Sequence, residues 1–240
     1  MTKRNKFILI SSIIFLCIEC IIGVLIHTSQ DCIPINLRYA SVILACGFLI
    51  IFAEKSHSYV FTQIGLICTV GADYFLVYLA DIKQLPAMLF FSVTQIAYFL
   101  RLYFADKSAL RRKWHIIIRA FVSIVILIVT ALVLGKSCDA LALVSMFYYA
   151  NLALNLVFAF MNFENNKIFA IGILLFILCD TVIGLSFVDA YLPINENSVI
   201  YKIIHPGFDL AWVFYLPSQA LIAVSLLKER VKNKENKKTV

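Results

Sequence analysis

Charged residues are scarce in this chain of 240 residues, and long polar segments are scarcer still. Asp, Glu, Lys and Arg make up 15% of the residues, the apolar types make up 62%, and the mean hydropathy is +0.92. A water-soluble domain is only about half apolar, so this composition excludes one. Most of the segments between apolar stretches are too short to fold independently. The chain is therefore predicted to be an integral membrane protein.

The motifs of common hydrolase and nucleotide sites are also absent. The sequence has no HExxH, no metal-spaced histidine cluster, no GxSxG and no glycine-rich phosphate loop. These absences exclude the usual metallohydrolase, serine hydrolase and nucleotide sites, and we expect no metal and no cofactor. Cys17 and Cys20 have CxxC spacing, but within an apolar helix such cysteines usually serve as packing residues.

What the sequence does contain is a series of eight apolar stretches, each about long enough to cross ~30 Å of hydrocarbon as a helix. The first resembles a signal peptide, but no small-residue cleavage site follows it, so we expect a retained helix. The fold class predicted is an all-α bundle of about eight transmembrane helices, forming one domain over 1–228, with a basic, disordered tail over 229–240. The eight stretches lie near 7–26, 36–53, 59–80, 86–105, 115–134, 139–160, 167–187 and 207–227.

Lysine and arginine are distributed unequally between the two sides of this arrangement. With eight spans both termini share a side, and that side carries 17 Lys and Arg against 4 on the other, counting Arg101 and Arg119 at span ends. The positive-inside rule then places both termini in the cytoplasm, in a multi-pass protein of the cell membrane. The net charge of +7 is explained by this topology, so nucleic-acid binding is not expected.

Two aspartates, Asp73 and Asp180, lie deep within predicted spans three and seven. A charged side chain at the bilayer centre costs ~3 kcal/mol or more, so it normally faces the protein interior or a wet cavity. At a rise of ~1.5 Å per residue, both aspartates lie ~20 Å from the cytoplasmic end of their span. We predict that both are catalytic. The alternative is a pair of protonated carboxyls that serve only packing.

Further polar side chains fall near the same layer, somewhat closer to the cytoplasmic side. Some share a helix face with a neighbour three or four residues away. Inside membranes, Asn and Gln commonly hold helices together by hydrogen bonds, and that remains the alternative for the amides. We predict that these side chains bind substrate: Gln95, Tyr98, Asn151, Tyr215, Gln219 and Glu19.

Four motifs in this order resemble elements of the YhhN family of lysoplasmalogenase-like, eight-span membrane proteins: GADYFLVYL, FFSVTQIAYF, LLFILCDTVIGLSF and FYLPSQALI. The resemblance covers roughly residues 59–227 and retains both aspartates and Gln219. Ala72 stands where the family usually has Gly before the first Asp. Gln95 stands where it typically has His, and Cys179 replaces the usual Ser before the second Asp.

The resemblance implies cleavage of the vinyl ether of a lysoplasmalogen, which gives a fatty aldehyde and a glycerophospho-alcohol. A vinyl ether hydrolyses by protonation at carbon, addition of water to the resulting oxocarbenium ion and collapse of the hemiacetal. Two carboxyls can divide into acid and base, as they do in glycosidases, which pass through a similar ion. The sequence leaves open which of the two aspartates takes which role.

The expected partners are a lysophospholipid or other single-chain lipid as substrate, and the surrounding membrane lipids. Oligomeric state is not predicted. Two alternatives to hydrolysis remain. A proton-coupled transporter would also carry buried acids on separate helices, and a non-catalytic lipid-binding relative is favoured by Gln95 in place of histidine.

Overall fold

A computed structural model describes residues 3–28, 33–53, 55–79, 84–191, 195, 198–204 and 209–227. Within these ranges the regular structure is helical, with no strand, because in lipid a helix satisfies its backbone groups within one segment. The helices are α1 (Lys3–Thr28), α2 (Ile33–Phe52), α3 (His57–Tyr78), α4 (Gln84–Ala105), α5 (Ala109–Leu134), α6 (Ala140–Met161), α7 (Phe163–Tyr191), α8 (Val199–Ile204) and α9 (Leu210–Val224).

Seven of the described helices, α1 to α7, are long and apolar enough to cross a membrane. The eighth predicted span corresponds to α9, an apolar helix of 15 residues that lies among the others. The prediction of a polytopic, all-α membrane protein is therefore confirmed. The cytoplasmic position of the termini stays a prediction, and the tail over 229–240 lies outside the described residues.

Polar residues and one glycine set several helix ends. The side chains of Ser56, Ser108 and Asp139 each accept a hydrogen bond from a backbone N–H in the first turn of the helix that follows, which is the usual N-cap arrangement. Gly135 ends α5 with a φ of 51°. That left-handed conformation favours glycine, so α5 stops there and a short 3₁₀ turn leads towards α6.

Two close helix pairs form the centre of the bundle, α3 with α4 and α7 with α9. A Cβ at Gly65 would lie 2.3 Å from Cε1 of Tyr98, and a Cβ at Gly172 would lie 2.9 Å from Cγ1 of Ile222. Small residues at these crossings let the backbones approach, which is how membrane helices commonly associate. The peripheral helix α5 packs mainly against α6, so much of its apolar surface is left to face lipid.

Arg101 and Arg119 were counted among the charges at span ends, but both side chains are buried within the bundle. Arg101 is 1% exposed inside α4, where it donates to Thr62 and Ser225 and lies over the ring of Phe169. Arg119 lies 10 residues after the first residue of α5, because that helix begins at Ala109 rather than near 115. Without these two residues the charge count is 15 against 4, so the predicted orientation keeps its basis.

Candidate functional site

A cavity of about 760 Å³ lies at one end of the bundle. Its described walls come from the first halves of α2, α4, α6 and α9 and from the second halves of α3, α5 and α7. Consecutive membrane helices run in opposite directions, so these segments share one half of the membrane. In the predicted orientation that half is the outer one.

The cavity wall is mainly apolar. Its aliphatic side chains include Leu76 from α3, Met88 from α4 and Val133 from α5. Among the described residues that line it, three carry a formal charge, and these are Arg38, Asp73 and Asp180. The cavity thus combines a surface suited to hydrocarbon with a small set of reactive or orienting groups, as ligand sites generally do.

Asp73 is held by a tyrosine from a distant part of the chain. Asp73 as a whole is 3% exposed, and its Oδ2 accepts a hydrogen bond of 2.7 Å from the hydroxyl of Tyr215 on α9. Tyr215 also lines the cavity. The contact joins α3 to α9 and fixes the orientation of the carboxyl at the cavity wall.

Asp180 has the same kind of partner on the opposite pair of helices. The hydroxyl of Tyr148, on α6, donates to Oδ2 of Asp180 on α7. Asp180 is more exposed than Asp73. Beside this pair, Tyr149 and Thr181 form a second hydrogen bond between the two helices, at 2.8 Å. Both acids therefore open onto one cavity, each with one oxygen bound to a tyrosine hydroxyl.

Aromatic rings occupy the space between the two tyrosines. The ring of Tyr148 lies 5.4 Å from Phe91, Phe91 lies 6.0 Å from Phe176, and Phe176 lies 5.6 Å from Tyr215, measured between centroids. Phe91 itself lines the cavity. A continuous chain of aromatic contacts therefore connects the two Tyr–Asp pairs.

An ion pair lies at the outer rim of the cavity, near the helix ends. The Nη2 atom of Arg38 lies 2.7 Å from Oδ2 of Asp209, at the start of α9. The guanidinium also lies 5.2 Å from the ring centre of Trp212. His27, at the end of α1, lies 3.1 Å from the carbonyl oxygen of Asp209. This rim therefore brings α1, α2 and α9 together.

A separate polar cluster surrounds Arg119, towards the end of the helices opposite to the cavity. Its guanidinium donates to Oδ1 of Asn151 at 2.5 Å and to Oδ1 of Asn155 at 2.7 Å, and it lies 4.3 Å from the ring centre of Phe99. Asn155 in turn donates to both oxygens of Gln95. Among the described residues no carboxylate pairs with Arg119, so neutral amides and an aromatic face surround its charge.

Of the eight predicted site residues, three line the cavity. These are Asp73, Asp180 and Tyr215. Gln95 and Asn151 instead belong to the Arg119 cluster, where they link helices as the alternative interpretation of buried amides expected.

The other three predicted residues also lie away from the described cavity wall. Tyr98 is buried against Phe169, with ring centroids 5.5 Å apart. Gln219 is fully buried within α9, and Glu19 accepts a hydrogen bond from Ser41 between α1 and α2. Depth along a helix could be estimated from the sequence, but depth does not specify which neighbour a helix face meets. The predicted substrate contacts of these residues gain no support from their position.

Sequence reasoning missed two groups at the cavity and one below it. Tyr148 and Arg38 line the cavity but are not among the predicted site residues. Arg119 had a usable signal, because His115, Arg119 and Ser123 recur at intervals of four on a helix that is mainly apolar after Lys113. All three are buried, which such a spacing predicts for the inward face of a membrane helix.

Comparison with known proteins identifies the family of the chain that carries this site. No curated protein and no solved structure matches the chain at a significant level. A match to the YhhN family extends over residues 33–226, which includes both Tyr–Asp pairs and every described cavity-lining residue. Because the match covers most of the 240 residues, the chain belongs to the YhhN family.

Proposed function

We propose that this protein is a lysoplasmalogenase-like hydrolase of the cell membrane, which cleaves the vinyl ether of a lysoplasmalogen to a fatty aldehyde and a glycerophospho-alcohol. The observation that carries the proposal is the pair of carboxyls, Asp73 and Asp180, that open onto one apolar intramembrane cavity. Membership of the YhhN family supports the same class of reaction.

The shape and surface of the cavity suit a single-chain lipid. Its volume of about 760 Å³ falls within the roughly 300–1,000 Å³ that is usual for small-molecule sites. The aliphatic walls from α5 and α6 would accompany the hydrocarbon chain, and the acids lie where the polar end of the chain begins. A lipid could reach this position by lateral movement within one leaflet.

The chemistry needs one proton donor and one group that accepts a proton from water. One carboxyl transfers its proton to the β-carbon of the vinyl ether, which leaves an oxocarbenium ion. The other carboxylate stabilises that ion and takes a proton from the water that attacks it. The hemiacetal then collapses, the bond between its carbon and the glycerol oxygen breaks, and that oxygen leaves with a proton. Water is the only other reactant, and the two carboxyls recover their starting protonation.

The tyrosines would orient these carboxyls during the reaction. Each occupies one oxygen of its aspartate and leaves the other oxygen available to substrate or water. Gln95 lies in the Arg119 cluster and not among the described cavity-lining residues. Glutamine at this position therefore removes no proton-transfer group from the cavity, and the proposed mechanism requires none there.

The test is aldehyde release from a lysoplasmalogen by the purified protein in detergent or nanodiscs. Asp73→Asn and Asp180→Asn should each lower kcat by about 10²- to 10⁴-fold, the usual contribution of a general acid or base. Glu164→Gln is the matched control, because its carboxyl is exposed on the far side of the bundle. It should release aldehyde at the wild-type rate.

Two outcomes would contradict the proposal. Unchanged aldehyde release by both Asp variants would remove the carboxyls from the mechanism. No release by the wild-type protein across a panel of vinyl-ether lysolipids would exclude the hydrolase and leave the transporter or the lipid-binding protein.

A further inference from the structure

Arg38 is the one charged residue of the described cavity wall that the proposed acid–base chemistry does not use. We propose that Arg38 forms a phosphate-binding subsite, which holds the headgroup phosphate of the lipid while its chain occupies the cavity. The inference rests on the proposed function, which supplies the lipid substrate, and it adds the residue that would select for a phosphorylated headgroup.

The donors of Arg38 are only partly used. Its Nη2 contacts Asp209 at 2.7 Å, whereas its buried Nε atom has no hydrogen-bond partner among the described residues. The guanidinium is a planar fork of five N–H donors that matches the oxygens of a phosphate. An apolar cavity with one such fork at its rim is therefore equipped to hold an anion at that end.

The position of Arg38 relative to the acids fits one lipid molecule. Asp209, its partner, precedes Tyr215 by six residues on the same chain segment, which corresponds to ~9 Å along a helix. Trp212 bridges this interval, since its ring lies 5.2 Å from the Arg38 guanidinium and 5.1 Å from the ring of Tyr215. That separation is comparable with a glycerol unit between a vinyl ether and a phosphate.

When no lipid is bound, Asp209 would form the ion pair with the Arg38 guanidinium. Its side chain is 37% exposed, so it can turn towards water when a phosphate takes its place. A carboxylate beside an anion opposes binding, and this gives the subsite a distinctive signature. Loss of the Arg38 charge should weaken phosphate binding, while loss of the Asp209 charge should not. A purely structural ion pair would respond to either change in the same direction.

Tryptophan fluorescence of the protein itself can report on binding. It has two tryptophans, Trp114 and Trp212, and Trp114 is exposed in the first turns of α5. In a Trp114→Phe background the remaining tryptophan, Trp212, reports on the part of the cavity wall next to Arg38. The two probes are an alkyl-ether lysophosphatidylcholine, which has no vinyl ether to cleave, and an alkylglycerol with the same chain but no phosphate. Each is titrated into protein in nanodiscs built on a tryptophan-free scaffold protein.

Arg38→Gln should weaken binding of the phosphate-bearing probe by about tenfold, the usual effect of losing a hydrogen bond to a charged group, and should leave the alkylglycerol unaffected. Asp209→Asn should bind the phosphate-bearing probe at least as tightly as the parent. Lys136→Gln is the control, because it removes an exposed charge just after the end of α5, on the same side of the bundle as the cavity. It should leave the affinity for both probes unchanged. If Arg38→Gln does not fold, Arg38→Lys should lose affinity several-fold for the phosphate-bearing probe alone.

The inference is overturned if Arg38→Gln lowers the affinity for both probes equally. It is also overturned if Asp209→Asn lowers the affinity for the phosphate-bearing probe as much as Arg38→Gln does. Aldehyde release is not part of this readout. A protein that discriminates the probes through Arg38 but cleaves no vinyl ether would refute the proposed function and leave the phosphate subsite standing.

Discussion

At the scale of single residues, two Tyr–Asp hydrogen bonds define the site. A carboxyl inside a membrane protein is costly unless its oxygens find donors. Tyr215 and Tyr148 supply one donor each, from helices other than those that carry the acids. Because both bonds cross between helices, they couple the orientation of each acid to the packing of the bundle.

The two hydroxyls should matter for turnover and not only for folding. Tyr148→Phe and Tyr215→Phe are each expected to lower kcat/KM for aldehyde release by about tenfold, since a hydrogen bond to a charged group contributes ~1.5–3 kcal/mol and 1.4 kcal/mol corresponds to a factor of ten. Steady-state kinetics on a lysoplasmalogen would measure this.

Tyr149→Phe is the matched control for this pair. Tyr149 lines the same cavity from the next position of α6, but its hydroxyl bonds to Thr181 rather than to an acid. It should stay within a few-fold of the wild type. An equal loss in all three variants would mean that any change of the α6 wall impairs turnover, and would contradict a specific role for the acid-bound hydroxyls.

At the scale of helices, α7 carries one of the two acids and also leaves open space beside it. Asp180 and Gly184 lie one turn apart on its cavity face, and a Cβ added at Gly184 would meet no atom within 4 Å. The glycine therefore leaves room beside the acid for a substrate. This space is lost if a large side chain is placed there.

Gly184→Phe is expected to lower turnover of a long-chain lysoplasmalogen by roughly tenfold or more, because displacement of a reacting group by about 1 Å already has effects of this size. The protein should still fold, since the new ring enters open space. Aldehyde release and monodispersity in detergent would be measured together.

Gly47→Phe serves as the comparison for Gly184→Phe. Gly47 lies on α2, does not line the cavity, and also has no atom within 4 Å of an added Cβ. Normal turnover by Gly184→Phe would show that the substrate does not occupy this part of the cavity. Equal losses in both variants would point to a general effect of an added aromatic ring.

The helices and the two acids could be predicted from the sequence because each depends on a local signal. A long apolar run predicts a span, and Asp73 or Asp180 within such a run must face inwards. The partners of the acids could not be predicted in this way. Tyr215 is 142 residues from Asp73 and Tyr148 is 32 residues from Asp180, and hydropathy does not specify how each helix is rotated about its axis.

The same limit applies to the positions of the amides and arginines. Gln95 and Asn151 were placed at an appropriate depth, yet their helix faces meet Arg119 and not the cavity. Arg119 itself was assigned to the end of a span, because hydropathy locates the start of α5 only after its polar first turns. A helix that begins with several polar residues can thus carry a buried cation well inside the membrane.

At the scale of the whole molecule, the cavity belongs to one half of the bundle. Positive charge predicts that this half is the outer one, and Lys136 and Lys167 offer a direct test. Lys136 is exposed after the cavity end of α5, and the side chain of Lys167, near the start of α7, is 42% exposed. In a background without native cysteines, Lys136→Cys should react with a membrane-impermeant maleimide in intact cells, and Lys167→Cys only after permeabilisation.

The reverse labelling pattern would show that the protein has the opposite orientation, with the cavity in the inner half of the membrane. Labelling of both positions in intact cells would contradict an odd number of crossings between them, which α6 provides in the present fold. A cysteine at Lys113, which is exposed near the start of α5, should behave as the one at Lys167 does.

Confinement of the cavity to one half has a consequence for bilayer asymmetry. A lipid that enters sideways is drawn from a single leaflet, and its water-soluble fragment leaves on that same side while the aldehyde stays in the hydrocarbon. Repeated turnover would therefore deplete one leaflet of lipid area and leave the other untouched. The supply of substrate would then depend on how fast lipids cross between the leaflets.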